Sequence, residues 1–541
     1  MTQRPRMLSF VAATMVSTAL SVVLGAKQPR LVLGVFIEGL RMETLQDLAP
    51  YFGHDGFNRL LRQGAVITDA DFGPGLDAAS ATALLLTGAA PAANGIPSAM
   101  VYDAAKLRSR NVFDDGVTMG NYTDMTLSPE ALKVSTIADE VKIAGNGVGM
   151  VYAIASDAAC AIVQGGHSAN SAVFVNDITG NWATSTFYKE FPVAASMSNR
   201  TAPLSARLDT MSWTPMQASA NAAWMLPEHL RAYPFRHTFK HNDPDRFARY
   251  LATPSANADI VRLATQYIST YKLGTRQSTD MLTLSCTLEP YPGTRTTEAR
   301  YETIDAYMRA DAALASLFKA AERNTADNGG TVIMVAGLPP RQWRRPDDDT
   351  WGLPDGTFST RKAMSLLNMY LMAIHGTGQW VSGYHDGQVY LNSELIKQNN
   401  KDIATIRSQA AAFLQRMAGV LQAYTIDQII TGTAPVDDPQ GLRRNTTMAY
   451  AGDVFVQVIP GWKLQDDYNR PGTTAPQSAA VSALTTAPVF ILAPEVQAQT
   501  IGTPVDARRI APTVTRQLRI RSPNGAGRPP LSLQKQRHDG H

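Results

Sequence analysis

The chain has 541 residues, of which 44% are hydrophobic and 18% are charged. This length and composition argue against disorder and predict one large α/β domain with insertions, or about two to three smaller domains. The 49 basic and 46 acidic residues leave a formal net charge of only +3. A nucleic-acid-binding protein would carry a stronger basic excess, so no nucleic-acid partner is expected.

The beginning of the chain has the pattern of a secretory signal peptide. Basic residues precede an apolar stretch from Met7 to Leu24, and Gly25-Ala26 offers small residues for cleavage. We therefore expect residues 1–26 to be a Sec-type signal peptide, Lys27 to begin the mature protein, and the protein to be periplasmic or at the cell surface. An uncleaved membrane anchor is the alternative, but several Ser and Thr residues interrupt the apolar stretch. No transmembrane segment is expected after cleavage.

Long apolar runs are typical of strands that are buried on both faces of a parallel sheet. The first run is Leu31–Ile37, and a helix is expected after it, from about Thr44 to Gln63. Helical spacing of apolar residues is clearest in Tyr301–Arg323. Strands that alternate with helices predict a doubly wound, mostly parallel α/β sheet flanked by helices. The further candidate strands are Val148–Ile154, Met281–Cys286, Val332–Ala336, Val454–Ile459 and Val489–Leu492.

One region departs from this alternation of strands and helices. Residues 341–360 are rich in Pro, Gly, Arg and Asp and favour a loop. After it, residues 365–374 and 380–391 favour strands, and residues 403–421 favour a helix. We interpret these segments as an insertion that packs on the main sheet.

The resulting domain prediction is a single α/β domain over residues 27–520. Insertions are expected around residues 180–260 and 340–450. Residues 521–541 are heavy in Pro, Gly, Arg and Gln, a composition that predicts a flexible tail.

The two cysteines of the chain are Cys160 and Cys286. Both lie among apolar residues on separate segments, so two buried thiols are expected rather than a disulfide. Their number does not indicate the redox compartment.

Short motifs from about Leu31 to Ser522 carry a family resemblance. They are Gly34-Val35-Phe36-Ile37-Glu38-Gly39-Leu40-Arg41, Thr87-Gly88 with Asn94-Gly95-Ile96, Gly166-His167-Ser168-Ala169-Asn170, Thr179-Gly180-Asn181-Trp182-Ala183-Thr184-Ser185-Thr186, Gly387-Gln388-Val389-Tyr390-Leu391-Asn392, Gly452-Asp453-Val454 and Pro460-Gly461-Trp462. Each motif alone is weak, but chance does not account for their common order. Together they resemble the alkaline phosphatase superfamily, closest to its nucleotide pyrophosphatase/phosphodiesterase-like branch and to secreted bacterial phosphate monoesterases of that branch.

This resemblance implies an alkaline phosphatase-like α/β fold with inserted cap-type subdomains. It also implies two zinc ions about 4 Å apart, which bind the phosphoryl group and lower the pKa of a Thr or Ser nucleophile. Asp and His ligands from separate strand ends would hold these ions. The family's six ligand positions correspond to Glu38, Glu289, Gly293, Gly337, Leu338 and Gln477, so carboxylates remain at two of them.

The nucleophile position of the family corresponds to Ala78, which has no nucleophilic atom. A shifted register would offer Asp77, Ser80 or Thr82 instead, although Ser and Thr at the start of a helix are more often caps. The resemblance also implies phosphate-binding positions, and none of them keeps its polar family residue. These positions correspond to Ala99, Ser156 and Ala158.

The histidines give a weaker signal. His237 and His241 are four residues apart, a spacing that suits two metal ligands if the segment is helical. No carboxylate signature accompanies them, so a structural or solvated pair is the preferred interpretation. His167 matches a family position in a turn beside Gly165 and Gly166, for which a structural role is expected.

The leading hypothesis is a catalytically inactive, exported member of the superfamily with no metal cofactor, which serves as a binding or scaffold component. Without zinc, clustered carboxylates repel one another, so their replacement by Ala, Gly and Leu removes an electrostatic penalty. A protein partner or a cell-envelope ligand is expected, with residues 341–360 and 435–445 as candidate surfaces. The alternative is an active zinc-dependent phosphoesterase that uses Glu38 and Glu289 with a displaced nucleophile. A small-molecule receptor is the third possibility.

Overall fold

The computed structural model describes residues 27–216, 235–292, 296–326, 328–339, 356–468, 477–479 and 485–533. The predicted signal peptide at residues 1–26 and most of the predicted loop at residues 341–360 lie outside the described residues.

The strands are numbered in chain order. The first half of the chain contains β1 Leu31–Glu38, β2 Ala65–Asp71, β3 Met100–Asp103, β4 Arg108–Asn111, β5 Gly120–Asn121, β6 Val151–Ala155, β7 Ser171–Val175, β8 Trp182–Ser185, β9 Ser212–Trp213 and β10 His237–Thr238. The second half contains β11 Asp280–Thr287, β12 Thr331–Leu338, β13 Thr357–Ser359, β14 Val381–His385, β15 Gln388–Leu391, β16 Val420–Thr425, β17 Val454–Val458, β18 Lys463–Gln465, β19 Gln477–Ala479, β20 Thr486–Leu492, β21 Gln499–Ile501 and β22 Val505–Asp506.

The helices connect these strands. The α-helices in the described residues are Met42–Leu48, Phe57–Gln63, Ala78–Thr87, Pro91–Asn94, Ile137–Ala144, Ala158–Gly165, Val193–Thr201, Leu204–Leu208, Arg246–Leu251, Pro254–Thr270, Thr296–Arg323, Thr360–His375, Ser393–Gln398, Ile403–Leu414, Ile426–Thr431, Pro439–Asn445 and Ile510–Leu518. Short 3-10 helices span Ala49–Tyr51, Pro129–Ala131 and Ala507–Arg509.

The central sheet has the strand order β21-β2-β20-β12-β1-β11-β6-β7-β8-β5, and β22 also pairs with β2. The middle of the sheet, from β12 through β1, β11 and β6 to β7, is parallel. The strands β20 and β8 run antiparallel to their neighbours. The prediction of a doubly wound, mostly parallel α/β sheet is therefore confirmed.

Alternate residues of β1 explain why helices cover both faces of this sheet. Successive side chains of a strand point to opposite faces. Val32 and Phe36 pack into one hydrophobic core. Leu31, Leu33 and Val35 pack into a second core on the other face. A continuous apolar run thus serves two cores, as the sequence predicted.

The segment from β13 to β18 contains a second, smaller sheet with the order β14-β15-β17-β16. It has a separate core that includes Trp380, Leu367 and Leu414. The strand that we predicted at residues 454–459 is present as β17, but it belongs to this smaller sheet and not to the main one.

The strand predicted at residues 365–374 is wrong, because this segment lies in the helix Thr360–His375. The Ser359 hydroxyl caps the helix by accepting a hydrogen bond from Lys362 N over 3.1 Å. Met364, Leu367 and Leu371 are buried at helical spacing. The predicted helix at 403–421 is too long, since it ends at Leu414 and β16 begins at Val420.

The flexible tail predicted from residue 521 also needs correction, because residues 521–533 pack against the main domain. Leu531 and Leu533 are 5% and 1% exposed and join the core on one face of the central sheet. Arg521 forms an ion pair with the fully buried Glu140. Composition indicated disorder, but the apolar side chains of this segment are buried against the core.

The prediction of two buried thiols is confirmed, since Cys160 and Cys286 are both free and buried. Within the described ranges, the helices are too short or too polar to cross a membrane.

Candidate active site

The carboxyl ends of parallel strands meet at one edge of the central sheet. Glu38, the last residue of β1, lies in register with Leu338 of β12 on one side and with Thr287 of β11 on the other. Every residue of β1 before Glu38 is buried, whereas Glu38 itself is half-buried. Ligands of open α/β sheets bind outside the carboxyl ends of the strands. This edge is therefore the candidate active site.

Two residues of the predicted ligand set lie on adjoining segments at this edge. Leu288 N donates a hydrogen bond of 2.7 Å to the carbonyl oxygen of Glu38. This bond brings the following residue, Glu289, against Gly39, where a Cβ atom would lie 3.0 Å from Glu289 Oε1. The Oε1 atoms of Glu38 and Glu289 are both buried. The fold thus places the two glutamates on touching segments.

The positions of the next ligand pair are filled by apolar packing. A Cβ atom on Gly337 would lie 3.0 Å from Pro488 Cδ and 3.1 Å from the carbonyl oxygen of Leu40. Leu338 is 1% exposed and belongs to the core on one face of the sheet. An Asp-His pair has no room here unless Pro488 moves.

The remaining two ligand positions give less information. Gly293 lies outside the described residues, and only the backbone of Gln477, in β19, is described. Among the residues that the structure describes, no three His, Cys, Asp or Glu side chains form a group that could hold a metal ion. Zinc sites use three or four protein ligands. The described residues therefore do not fit the two-zinc centre that the family resemblance implies.

Asp77 organises the segment at the nucleophile position. It is the N-cap of the helix Ala78–Thr87, where its Oδ1 accepts hydrogen bonds from Ser80 N at 2.9 Å and Ser80 Oγ at 2.8 Å. Its Oδ2 accepts hydrogen bonds from Ser98 Oγ at 2.9 Å and Ala99 N at 2.7 Å. One carboxylate thus ties the nucleophile position, Ala78, to a predicted phosphate-binding position, Ala99.

The three fallback nucleophiles differ in how accessible they are. Ser80 and Thr82 are completely buried inside the helix Ala78–Thr87. Asp77 is half-buried, but four hydrogen bonds occupy its two oxygens. The shifted-register alternative at Ser80 or Thr82 therefore has no route to a substrate.

The other predicted phosphate positions lie around a second capped helix. Ser156 follows β6, and Asp157 caps the helix Ala158–Gly165 by accepting a hydrogen bond of 2.8 Å from Cys160 N. Burial raises the pKa of the Cys160 thiol well above its ordinary value, and the charges of Asp157, Asp77 and Glu38 raise it further. Glu38 ends β1, Asp157 follows β6 and Asp77 follows β2, and these strands run in the same direction, so the three carboxylates lie at the same edge of the sheet.

Arg41 supplies a cation beside the glutamates, and sequence reasoning did not single it out. The backbone N of Arg41 donates a hydrogen bond of 2.9 Å to Tyr307 Oη. Tyr307 Oη in turn donates a hydrogen bond of 3.0 Å to the Gly39 carbonyl oxygen. Burial lowers the pKa of the Arg41 guanidinium, while Tyr307 and Glu289 oppose that shift. The cleft therefore combines the carboxylates of Glu38 and Glu289 with the partly buried guanidinium of Arg41.

His237 and His241 do not form a shared metal-binding pair, because each is held by a different partner. His237 begins a strand, so the pair with His241 is not helical. His237 Nε2 lies 3.2 Å from Glu302 Oε1, whereas His241 Nδ1 lies 3.5 Å from Asp209 Oδ1. The two rings thus face different carboxylates, in agreement with the preferred interpretation.

Comparison with known proteins finds relatives that align with most of the chain. No protein-family model matches the chain. The chain is 25% identical over 464 residues to alkaline phosphatase PhoV of Synechococcus elongatus, covering 80% of this chain and 81% of that protein. It is 26% identical over 524 residues to a protein of Myroides odoratus named calcium-transporting ATPase, covering 92% and 93%. It is 24% identical over 528 residues to alkaline phosphatase PafA of Elizabethkingia meningoseptica, covering 93% and 94%.

A crystal structure of wild-type alkaline phosphatase PafA superimposes on the chain with a TM-score of 0.79 and 20% sequence identity. The superposition covers 94% of this chain and 99% of that chain. It supports the assignment of the fold.

These comparisons correct two expectations. The hypothesis of a catalytically inactive scaffold is wrong, because relatives that align with 80% and 93% of the chain are named alkaline phosphatases. The expectation of no metal cofactor is wrong for the same reason, since the resemblance to that family implies zinc. The alternative of an active phosphoesterase with an altered site is the one that the relatives favour.

Proposed function

This chain belongs to the alkaline phosphatase superfamily, and we propose that it is an exported hydrolase of phosphate mono- or diesters with an altered active site. The observation that carries the proposal is the placement of Glu38 and Glu289 on touching segments at the carboxyl edge of the parallel strands. These are two of the family's ligand positions, and they retain carboxylates. The superfamily implies zinc, but the described residues do not fit a two-zinc centre, so the proposal assigns no step to a metal.

The residues around the glutamates have roles that follow from their contacts. Arg41 lies close enough to Glu289 for the two charges to interact, and a guanidinium can donate two parallel hydrogen bonds to phosphate oxygens. Asp77 holds residues 98 and 99 against the start of the helix Ala78–Thr87. We assign Arg41 to orienting the phosphate and Asp77 to fixing the wall of the cleft.

The test is a hydrolysis assay on the full-length protein after purification without chelator. An aryl phosphate monoester and a bis-aryl phosphate diester serve as substrates, with and without added zinc. We expect saturable turnover by the wild type and a loss of at least about 100-fold in Glu38→Gln, the size that is usual when one charge-stabilising group of an active site is removed.

The matched control is Glu394→Gln. Glu394 is a highly exposed surface glutamate in an ion pair with Lys397. The activity of the Glu394→Gln variant should therefore stay within about twofold of the wild type, as is usual for surface changes away from a site. Absence of turnover by the wild type under every condition would overturn the proposal, as would equal activity of wild type and Glu38→Gln.

Export is part of the same proposal. A periplasmic fraction should contain a chain that begins at Lys27, and amino-terminal sequencing measures this directly. An intact Met1 in a soluble cytoplasmic fraction would contradict it. A protein or cell-envelope partner stays a prediction.

A further inference from the structure

An active enzyme of this fold needs a nucleophile, and the family position cannot supply one because it is Ala78. The fallback residues Ser80 and Thr82 are completely buried. Asp77 carries two hydrogen bonds on each carboxylate oxygen. A different hydroxyl or a water molecule must therefore attack phosphorus if the proposed function holds.

Ser98 is the hydroxyl that the fold brings to this place. It is half-buried and lies one residue before Ala99. Its Oγ donates a hydrogen bond of 2.9 Å to Asp77 Oδ2 and accepts a weak one of 3.4 Å from Met100 N. An activated nucleophile usually lies within about 2.6–3.2 Å of its general base, and the distance from Ser98 Oγ to Asp77 Oδ2 is in this range.

The base is itself held in place, which such an arrangement requires. Asp77 Oδ1 accepts hydrogen bonds from Ser80 N and Ser80 Oγ, while Oδ2 accepts one from Ala99 N as well as the one from Ser98. Ser98, Asp77 and Ser80 thus form a chain of hydroxyl, carboxylate and hydroxyl. The residue that orients the base is buried and cannot compete for the substrate.

This chain of groups lies at the same edge of the central sheet as the candidate active site. Asp77 caps the helix whose first residue is Ala78, the family's nucleophile position. The strand β2 leads into Asp77 and runs in the same direction as β1, which ends at Glu38, so both carboxylates lie at the carboxyl edge of the sheet. The helix Ala78–Thr87 also packs against β12, the neighbour of β1. A nucleophile on Ser98 would approach phosphorus from the side of residue 99 and not from residue 78.

We propose that Ser98 is the catalytic nucleophile of this protein and that Asp77 is its general base, an inference that rests on the proposed function. Ser98 Oγ forms a bond to phosphorus while the bond from phosphorus to the leaving oxygen breaks. The hydroxyl proton passes to Asp77 and from there to the leaving oxygen. Water then attacks phosphorus, the bond to Ser98 Oγ breaks, and a proton of that water returns to Ser98 by way of Asp77. The products are an alcohol and a phosphate, or a phosphate monoester when the substrate is a diester.

The experiment combines kinetics with acid trapping on the full-length protein. Wild type, Ser98→Ala, Ser98→Thr and the control Ser408→Ala are assayed with an aryl phosphate ester, quenched in acid and examined by peptide mass spectrometry. Ser408 is exposed, and its hydroxyl donates a hydrogen bond to the Ala404 carbonyl of its own helix. We expect a phosphoryl group on residue 98 in the wild type and the control. Ser98→Ala should lose at least about 10³-fold in kcat, as removal of a nucleophile does, and Ser98→Thr should keep part of the activity and carry phosphothreonine.

Each outcome separates the two proposals. Turnover by the wild type with unchanged activity in Ser98→Ala overturns the role of Ser98 and leaves the phosphoesterase function standing. A loss of activity in Ser98→Ala without phosphate on residue 98 of the wild type, or with an equal loss in Ser98→Thr, also overturns the inference, because the tie between Ser98 and Asp77 is then structural. Absence of turnover by the wild type overturns both. Circular dichroism melting of each variant shows that the comparison is made between folded proteins.

Discussion

Glu289 packs directly on Gly39: a Cβ atom on Gly39 would lie 3.0 Å from both the backbone nitrogen and Oε1 of Glu289. Gly39 has a φ of +78°, a conformation that side-chain-bearing residues rarely adopt. Gly39→Ala should therefore push Glu289 away from Glu38. We expect a loss of about 1–3 kcal/mol in the free energy of unfolding and a loss of phosphoesterase activity, measured by urea titration and by the aryl ester assay.

Gly502→Ala is the matched control, since no atom lies within 4 Å of a Cβ at that position. Its unfolding midpoint and activity should equal those of the wild type. Equal stability of Gly39→Ala and Gly502→Ala would show that Glu289 does not depend on the absence of a side chain at residue 39.

Restoring the family's Asp-His pair should fail in this chain. In the double variant Gly337→Asp, Leu338→His, the new Cβ at 337 would meet Pro488 Cδ at 3.0 Å and Ala487 Cβ at 3.2 Å. The new imidazole would replace a leucine that is 1% exposed. Overpacking and a buried polar ring each cost about 1–3 kcal/mol. Thermal melts should show a less stable protein, and added zinc should not recover the melting temperature.

A rise in the melting temperature of the double variant with added zinc, but not of the wild type, would contradict this prediction, because only binding to the folded state gives that result.

The central sheet could be predicted from sequence because its strands are apolar on both faces. The run Leu31–Ile37 has no polar residue that could face water, so burial in a parallel sheet was the natural interpretation. The register then places Gly337 and Leu338 beside Ile37 and Glu38. The helix Thr360–His375 was missed because its buried residues are mixed with Ser, Asn and Tyr, which obscure the helical period over a short window.

The candidate nucleophile could not be found from sequence. Ser98 follows a proline in a loop and matches no motif, and its partner Asp77 lies 21 residues earlier. Only the folded chain brings the two side chains together. The packed segment 521–533 was missed for a related reason: Leu531 and Leu533 are alternate apolar residues in a polar stretch, and their burial depends on a groove formed by distant elements.

Leu533 gives a direct test of this packing. Its side chain is 1% exposed, so Leu533→Ala should destabilise the protein by about 2–5 kcal/mol, as leucine truncation in a core does. Val117→Ala removes a side chain that is 80% exposed and should leave stability unchanged. The free energies of unfolding by urea measure both. If the two variants have equal free energies of unfolding, residues 521–533 do not pack against the domain in solution.

The pair of His167 and Asp139 predicts a pH-dependent contribution to stability. A hydrogen bond to Asp139 raises the pKa of His167 against the opposing effect of burial. Burial works against ionisation of Asp139, but hydrogen bonds from His167 and Thr136 outweigh it, so the Asp139 pKa is lowered. The histidine's contribution is complete below its unfolded pKa, near 6.5, and is lost as pH rises through the raised folded value. The aspartate's contribution is complete above its unfolded pKa, near 3.9, and is lost as pH falls through the lowered folded value.

The pair should therefore stabilise the fold most between about pH 4 and pH 6.5. His167→Gln should lower the melting temperature more at pH 5.5 than at pH 9, by roughly 1–2 °C because His167 is partly exposed. His54→Gln, an exposed histidine, is the control. If His167→Gln lowers the melting temperature equally at both pH values, the charge of His167 does not contribute to stability and only the packing of its ring does.

The charges of the cleft predict a preference for diesters over monoesters. Ser156 and Ala158, which correspond to phosphate-binding positions of the family, are uncharged. Glu38, Asp77 and Asp157 lie at the same edge of the sheet, because β1, β2 and β6 run in the same direction. A phosphate monoester carries about two negative charges at pH 8 and a diester carries one, so the carboxylates at this edge repel the monoester more strongly.

We expect kcat/KM for a bis-aryl phosphate diester to exceed that for the matching monoester by about tenfold, which corresponds to about 1.4 kcal/mol. Ser156→Lys, at a partly exposed position, should narrow the ratio by favouring the monoester, whereas a change to lysine at the exposed Ala92 should not. A monoester that is hydrolysed faster than the diester by the wild type would show that a cation outside these residues neutralises the cleft.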